Sequence, residues 1–230
     1  MDGFNIDEYI PYIIIVIFIV SFIIVYYNKQ TIYNDNIFDK IYKTAYWGQG
    51  SINGGSSGHG SSPEMNKEYI NYLNNFIKKN NIRSIVDIGC GDWQIMNHIN
   101  LLNIDYSGFD VAEEVINRNN NLYKTSTTNF YKTELGEYYN YPKADLLICK
   151  DVLQHLDYQN INNILTQLDK YEHVIIINDF SENTVNQNIP NGGWRELDIT
   201  KEPFNIRINY QLYLWNKHDT ARKVLLHKFK

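Results

Sequence analysis

Ile85-Val86-Asp87-Ile88-Gly89-Cys90-Gly91-Asp92-Trp93-Gln94 is the stretch from which the rest of the chain is read. An apolar run passes through a carboxylate and empties into two glycines, the pattern of a buried strand ending in a tight turn. Glycine in such a turn allows positive φ and lets a ligand approach bare backbone. The periodic residues Ile95 to Leu102 predict a helix whose first N–H groups face back toward the turn. Strand, turn and helix start together predict a small-molecule site at the carboxyl end of a parallel sheet.

Two nucleotide motifs fail on spacing. A dinucleotide fingerprint needs a third glycine three positions after the second, where this chain has Gln94. A phosphate-binding P-loop needs Gly-Lys-Ser/Thr at the helix start, and none is present. The stretch instead resembles motif I of the class I S-adenosylmethionine-dependent methyltransferases, acidic-x-Gly-x-Gly, with Asp87, Gly89 and Gly91 in those positions. Many members carry a further glycine where this chain has Trp93. The resemblance implies a Rossmann-like α/β fold: a seven-stranded, mostly parallel sheet with helices on both faces and an antiparallel C-terminal hairpin. It implies S-adenosylmethionine as cofactor, held by Asp87, Gly89, Cys90, Gly91, Asp110, Val111, Asn129 and Lys150.

Asp110 closes the second predicted strand, Tyr106 to Asp110, about twenty residues past the first glycine. A carboxylate at that distance meets a ribose. Capping the helix predicted over Val111 to Asn119 is a second role compatible with the first. Asn129, at the exit of a third strand within Asn121 to Phe130, is the nearest polar residue to an adenine. A fourth strand, Ala144 to Cys149, runs into Lys150-Asp151-Val152-Leu153-Gln154-His155-Leu156. That run resembles the family's x-Val-Leu-x-His-Leu segment, which turns Lys150, Asp151 and His155 toward the site of methyl transfer. Asp151 and His155 are the candidate catalytic residues; for His155 a hydrogen-bonded structural histidine is the competing reading.

The chain has 230 residues, a formal charge of -5 and two cysteines. The acidic balance makes nucleic acid an unlikely partner, since such domains carry a basic excess. Cys90 and Cys149, both at strand ends, are not a disulfide framework and suit a reducing compartment. Heavy use of Asn, Ile, Tyr and Lys reads as AT-rich coding, as in a viral genome. The six histidines are scattered and imply no metal site.

Residues 1–9 are a short acidic N-terminus. Residues 10–27 are almost wholly Ile, Val, Phe and Tyr without charge, which predicts a transmembrane helix. Lys29, Lys40 and Lys43 on its C-terminal flank predict a single-pass membrane protein with a cytosolic C-terminal domain. Residues 28–62 are a juxtamembrane segment, with Ile37, Ile41 and Ala45 at helical spacing, followed by a Gly/Ser-rich stretch. Its end, Ser57-Gly58-His59-Gly60-Ser61-Ser62-Pro63, is either a linker or a lid over the cofactor. Residues 63–230 form the catalytic domain, opening on a helix that Ser62, Pro63 and Glu64 start.

Asp157 caps a helix bearing Ile161, Ile164, Leu165 and Leu168. Val174 to Ile177 is a fifth strand, and Asn178 at its end is a candidate substrate residue. Residues 181–207 are a long loop, of the kind that is functional or disordered; its Arg195 either binds an anionic or carbonyl group or forms a surface ion pair with Glu196 or Asp198. Tyr210 to Trp215 and Lys223 to Phe229 predict the terminal hairpin. Methyl transfer needs positioning of the nucleophile, and a base only where the acceptor must lose a proton. Two functions fit: a membrane-tethered methyltransferase acting on an acceptor the sequence does not identify, or a catalytically inactive methyltransferase-like binding module.

Overall fold

Strands covered on both faces need near-continuous apolar runs, and the chain supplies them at Ser84–Ile88 (β1), Leu146–Lys150 (β4) and His173–Phe180 (β5). The computed structural model describes residues 10–34, 36–49, 56–214 and 222–229. Asp105–Asp110 (β2) and Thr128–Lys132 (β3) extend the sheet, giving the order β3-β2-β1-β4-β5 with every pair parallel. Tyr210–Leu214 (β6) and Arg222–Phe229 (β7) are antiparallel to each other, and β7 is antiparallel to β5. The chain leaves β1 toward β2 on one side and returns from β3 to β4 on the other. The carboxyl ends of β1 and β4 therefore form the switch point at which open α/β sheets bind ligands.

Alternate residues of each strand feed two cores. Val86, Leu147 and Ile176 pack with Ile161, Ile164 and Leu165 of Tyr158–Leu165 (α5). Ile85, Ile148 and Ile175 pack with Leu73, Phe76 and Ile77 of Lys67–Lys79 (α3). Each such side chain contributes about 1.5–3 kcal/mol by leaving water. Glu113–Tyr123 (α4) sends Val115 to the first core and Ile116 to the second. Asp157 caps α5, its Oδ1 accepting the Asn160 N–H at 2.8 Å.

Two compact units divide the chain, Met1–Asp35 and Asn36–Lys230. The first contains the helix Ile10–Asn34 (α1), whose apolar side chains from Tyr12 to Val25 are exposed. The second begins with Ile37–Lys43 (α2), so residues 36–49 and 56–62 pack with the sheet domain. Asn36 caps α2 through its Oδ1, and its Nδ2 donates to the Val111 carbonyl at 2.6 Å. Asp39 Oδ1 accepts the Glu113 N–H at 2.7 Å, satisfying the first turn of α4 from another element. These two side chains seat α2 across the exit of β2.

The expected assembly, a seven-stranded sheet behind a transmembrane helix, is corrected at the helix; the sheet itself has seven strands. The parallel part of the sheet has five strands. Among the described residues, no helix is long and apolar enough to cross a membrane. The single-pass localisation falls with that helix. Residues 1–9 and the turn expected at 216–219 lie outside the described residues.

Two local expectations also change. Residues 95–102 form only a 3-10 turn at Met96–His98. Trp93 sits at φ 60°, and the Asn74 side chain takes the Asn100 N–H at 2.8 Å, so the backbone bonds outward instead of continuing a helix. The next helix starts at Lys67, not Pro63; the Asn66 side chain, at the predicted first turn, donates to the carbonyls of Gly60 and Ser62 and ties the preceding segment down.

Candidate functional site

β1 runs straight into its turn because Gly89 and Gly91 take φ of 71° and 54°. The Gly89 and Cys90 N–H groups both donate to the Phe109 carbonyl of β2, at 2.7 and 3.0 Å, which folds the turn over toward that strand. A Cβ on Gly89 would lie 2.2 Å from Val152, and one on Gly91 would lie 2.4 Å from Ser57 Oγ. Neither position has room for a side chain. Trp93 points inward, its ring 4.8 Å from Tyr123, 5.4 Å from Phe130 and 5.7 Å from Tyr106. The indole thus fills the core beneath the turn.

Asp110, at the end of β2, meets this turn. Its Oδ2 accepts the Gly91 N–H at 3.0 Å, and its Oδ1 accepts the Ala112 N–H at 2.9 Å. Each carboxylate oxygen retains a lone pair after those bonds. Burial pushes its pKa up to about 6. Asp87, inside β1, accepts the Tyr106 hydroxyl at 2.6 Å, and burial raises its pKa to about 7. Burial also pushes the Cys90 thiol up, so this cysteine is not an activated nucleophile. Asn119 is fully buried and donates to the Gly91 carbonyl at 2.7 Å, fixing the turn from below.

The N-terminal segment closes over the turn. Ser57 N–H donates to Asp92 Oδ2 at 3.1 Å, and Asp92 N–H donates back to Ser57 Oγ at 3.0 Å. Tyr42 shares a hydrogen bond with the same Ser57 hydroxyl at 2.8 Å. Arg118 lies 3.7 Å from Asp92. The Ser-Gly-His-Gly-Ser run therefore sits against the glycine turn.

Between them is a cavity of about 740 Å³. Asp87, Gly89, Cys90, Gly91, Asp110, Val111, Lys150, Asp151 and His155 all line it. Lys150 and Asp151 form an ion pair, and the Lys150 ammonium lies 6.0 Å from the Tyr69 ring centre. Tyr69 is buried in the wall, and its hydroxyl has no hydrogen-bond partner among the described residues. A buried hydroxyl of that kind is costly unless a ligand group meets it. His155 Nδ1 lies 2.7 Å from the Gly193 carbonyl, and its ring lies 5.1 Å from that of Trp47.

Three expected site residues are not brought to the cavity. Asn129 lies within β3 opposite Ser107, and the wall there is made by Thr133, Glu134 and Leu135 after the strand. The Asn178 side chain is buried without a hydrogen-bond partner among the described residues, while its neighbour Asp179 lines the cavity. Arg195 is 8% exposed, with Nη1 donating to the Leu153 carbonyl at 3.2 Å and its guanidinium 5.9 Å from the Tyr158 ring. It makes no surface pair with Glu196, which accepts from Ser181 and Thr184 instead. Conversely, Tyr42, Trp47 and Tyr69 line the cavity and escaped the sequence reading. Among the described residues, no group of three or more His, Cys, Asp or Glu is placed to hold a metal.

No protein-family model matches the sequence, and no curated protein matches it. Among solved structures, the chain is similar to the methyltransferase domain of bacterial CtHen1-CN at 17% identity, over 72% of this chain and 100% of that one, with a TM-score of 0.54. It is similar to magnesium protoporphyrin IX methyltransferase (ChlM) from Synechocystis PCC 6803 with bound SAM at 15% identity, over 83% and 94% of the two chains, with a TM-score of 0.55. The same enzyme with bound SAH matches at 13% identity, over 83% and 97%, with a TM-score of 0.54. Likeness at these identities shows a shared fold, that of Rossmann-like methyltransferases.

Proposed function

We propose that this chain is an S-adenosylmethionine-dependent methyltransferase. The observation that carries the reading is the meeting of Asp110 with the Gly89–Gly91 turn across one cavity, with Oδ2 3.0 Å from the Gly91 nitrogen. ChlM, which shares the fold, was crystallised with SAM and with SAH, which supports the same cofactor here. The residues present suit that molecule. Asp110 offers two acceptor lone pairs to a ribose diol, the glycine turn offers backbone free of side chains, and the acids Asp87 and Asp110 favour a cation. Tyr69 supplies a hydroxyl for a polar group of the ligand.

When bound, S-adenosylmethionine supplies an electrophilic methyl whose bonding pair stays on sulfur as the acceptor's lone pair closes on carbon. The chain's part is to hold the two reactants in line and to exclude water. The segment containing Trp47 and Ser57–Ser61, which forms part of the cavity wall, serves the second task. An acceptor that starts protonated also needs a base, and His155 and Asp151 are the candidates in the wall. Asp151 is committed to Lys150, which leaves His155 as the better base.

The test is titration calorimetry of the full chain with S-adenosylmethionine and with its demethylated product, followed by labelled methyl transfer to a fractionated lysate. Binding of both ligands and label in one fraction are expected. A folded chain that takes up neither ligand is not a methyltransferase, and one that binds but never transfers is a binding module.

A further inference from the structure

We infer that the loop Asn188 to Arg195 is a positioning device that sets which nitrogen of His155 faces the cavity as a base. The inference rests on the methyltransferase reading above, because it assigns the base that reading requires.

A carbonyl oxygen only accepts hydrogen bonds. The 2.7 Å contact between the Gly193 carbonyl and His155 Nδ1 therefore places a ring proton on Nδ1, so Nε2 is the nitrogen at which a base would act. The contact is built, not incidental, because the loop grips the whole turn from Leu153 to Tyr158. Gly192 N–H donates to the His155 carbonyl at 2.8 Å. Arg195 donates to the Gln154 carbonyl through its backbone and to the Leu153 carbonyl through Nη1, both at 3.2 Å. Asn191 makes a two-way clasp with Asp157: its Oδ1 accepts the Asp157 N–H, and its Nδ2 donates to Asp157 Oδ2, each at 2.9 Å. Asn188 Oδ1 accepts the Tyr158 N–H at 2.8 Å. Trp47 lies beside the imidazole, with ring centres 5.1 Å apart, and limits its rotation.

Asn191 and Arg195 do not line the cavity, so they act on the reaction through His155 and not by touching a ligand. In the assigned step, Nε2 takes the proton that the acceptor's hydroxyl or amine gives up while its lone pair closes on the methyl carbon. The resulting imidazolium is held by the Gly193 carbonyl and returns the proton to water after product leaves. An acceptor with a proton on its nucleophile follows as the substrate class; a thioether or tertiary amine has no use for this arrangement.

The experiment is 15N-histidine NMR of the full chain, reading which imidazole nitrogen of His155 carries the proton, with His155→Gln to assign the signal. Wild type is expected as the Nδ1–H form. Asn191→Ala and Arg195→Met are expected to shift roughly tenfold of the preference toward the other form, the scale of one lost hydrogen bond. Arg195→Lys, which can still reach the Leu153 carbonyl, is expected to keep the wild-type form. Calorimetry on the same samples should give S-adenosylmethionine affinities within about twofold of wild type, since neither residue touches the cavity. A wild-type proton on Nε2 overturns the inference without any variant having to fold. So do folded Asn191→Ala and Arg195→Met proteins that keep the wild-type form. Absence of donor binding in wild type is a different failure, that of the methyltransferase reading.

Discussion

Replacing Asp110 with Asn removes the group on which cofactor recognition turns while keeping its size. Asp110 is 9% exposed, and each of its oxygens already accepts one backbone N–H, from Gly91 at 3.0 Å and from Ala112 at 2.9 Å. In Asn, one of those oxygens becomes an NH₂ group. One backbone N–H then faces a donor, and one ribose hydroxyl loses its acceptor. Hydrogen bonds to a charged group contribute about 1.5–3 kcal/mol. At about 1.4 kcal/mol per decade, Kd for S-adenosylmethionine should rise roughly ten- to a hundredfold. Fold stability should fall less, because the orphaned N–H costs about 1–3 kcal/mol while the loss of a buried charge offsets part of it. The measurement is calorimetry near pH 8, where wild-type Asp110 is ionised, alongside thermal unfolding of both proteins. A folded Asp110→Asn protein that binds within about twofold of wild type would refute the role.

Further expectations follow from the same contacts. Gly91→Ala puts a Cβ 2.4 Å from Ser57 Oγ and 3.3 Å from Tyr42 Oη at φ 54°, so it should dislodge the covering segment and weaken donor binding about tenfold, whereas Gly136→Ala, at φ 86° with open space around it, should cost only about 1–2 kcal/mol of backbone strain and leave binding unchanged in parallel titrations. Asn119→Ala strips the buried Gly91 carbonyl of its donor and should lower stability by about 1–3 kcal/mol, read as a lower urea midpoint at constant slope. Burial raises Asp87 to about 7 and Asp110 to about 6, so the native state holds protons that the unfolded chain releases near 3.8; stability from these groups is full below that value and falls as pH rises toward 7, which urea titrations across the range will read. Donor binding should run the other way, strengthening and releasing protons as pH rises through 6 to 7, because a cation favours the ionised acids; calorimetry in two buffers of different protonation enthalpy measures this, and affinity that falls over the range would contradict it.

The cofactor half was legible because its signals are local: two glycines after a strand, and an acid at a fixed step beyond them. β1 and the Asp157 cap follow from neighbours in sequence alone. α2 was seen only as weak periodicity, because what seats it are Asn36 and Asp39, whose partners lie 75 and 74 residues away. The helix expected over Ile95 to Leu102 failed because its apolar spacing competes with a left-handed Trp93 and with Asn74 reaching in from α3. Arg195 was read as a surface or substrate cation, since nothing local shows that loop and turn would bury it. The membrane helix was read from composition, and among the described residues no helix is long and apolar enough to cross a membrane. Asn129 was placed too early because β3 continues to Lys132, which moves the strand exit to Thr133.

The central claim is tested most directly by a crystal structure of the full chain grown with S-adenosylmethionine. Density for the ribose with both hydroxyls on the Asp110 carboxylate, and the remainder of the molecule running past the Gly89–Gly91 turn toward His155, is the predicted result. Density for the cofactor anywhere else, or a cavity that stays filled by the chain's own side chains at saturating ligand, would contradict it.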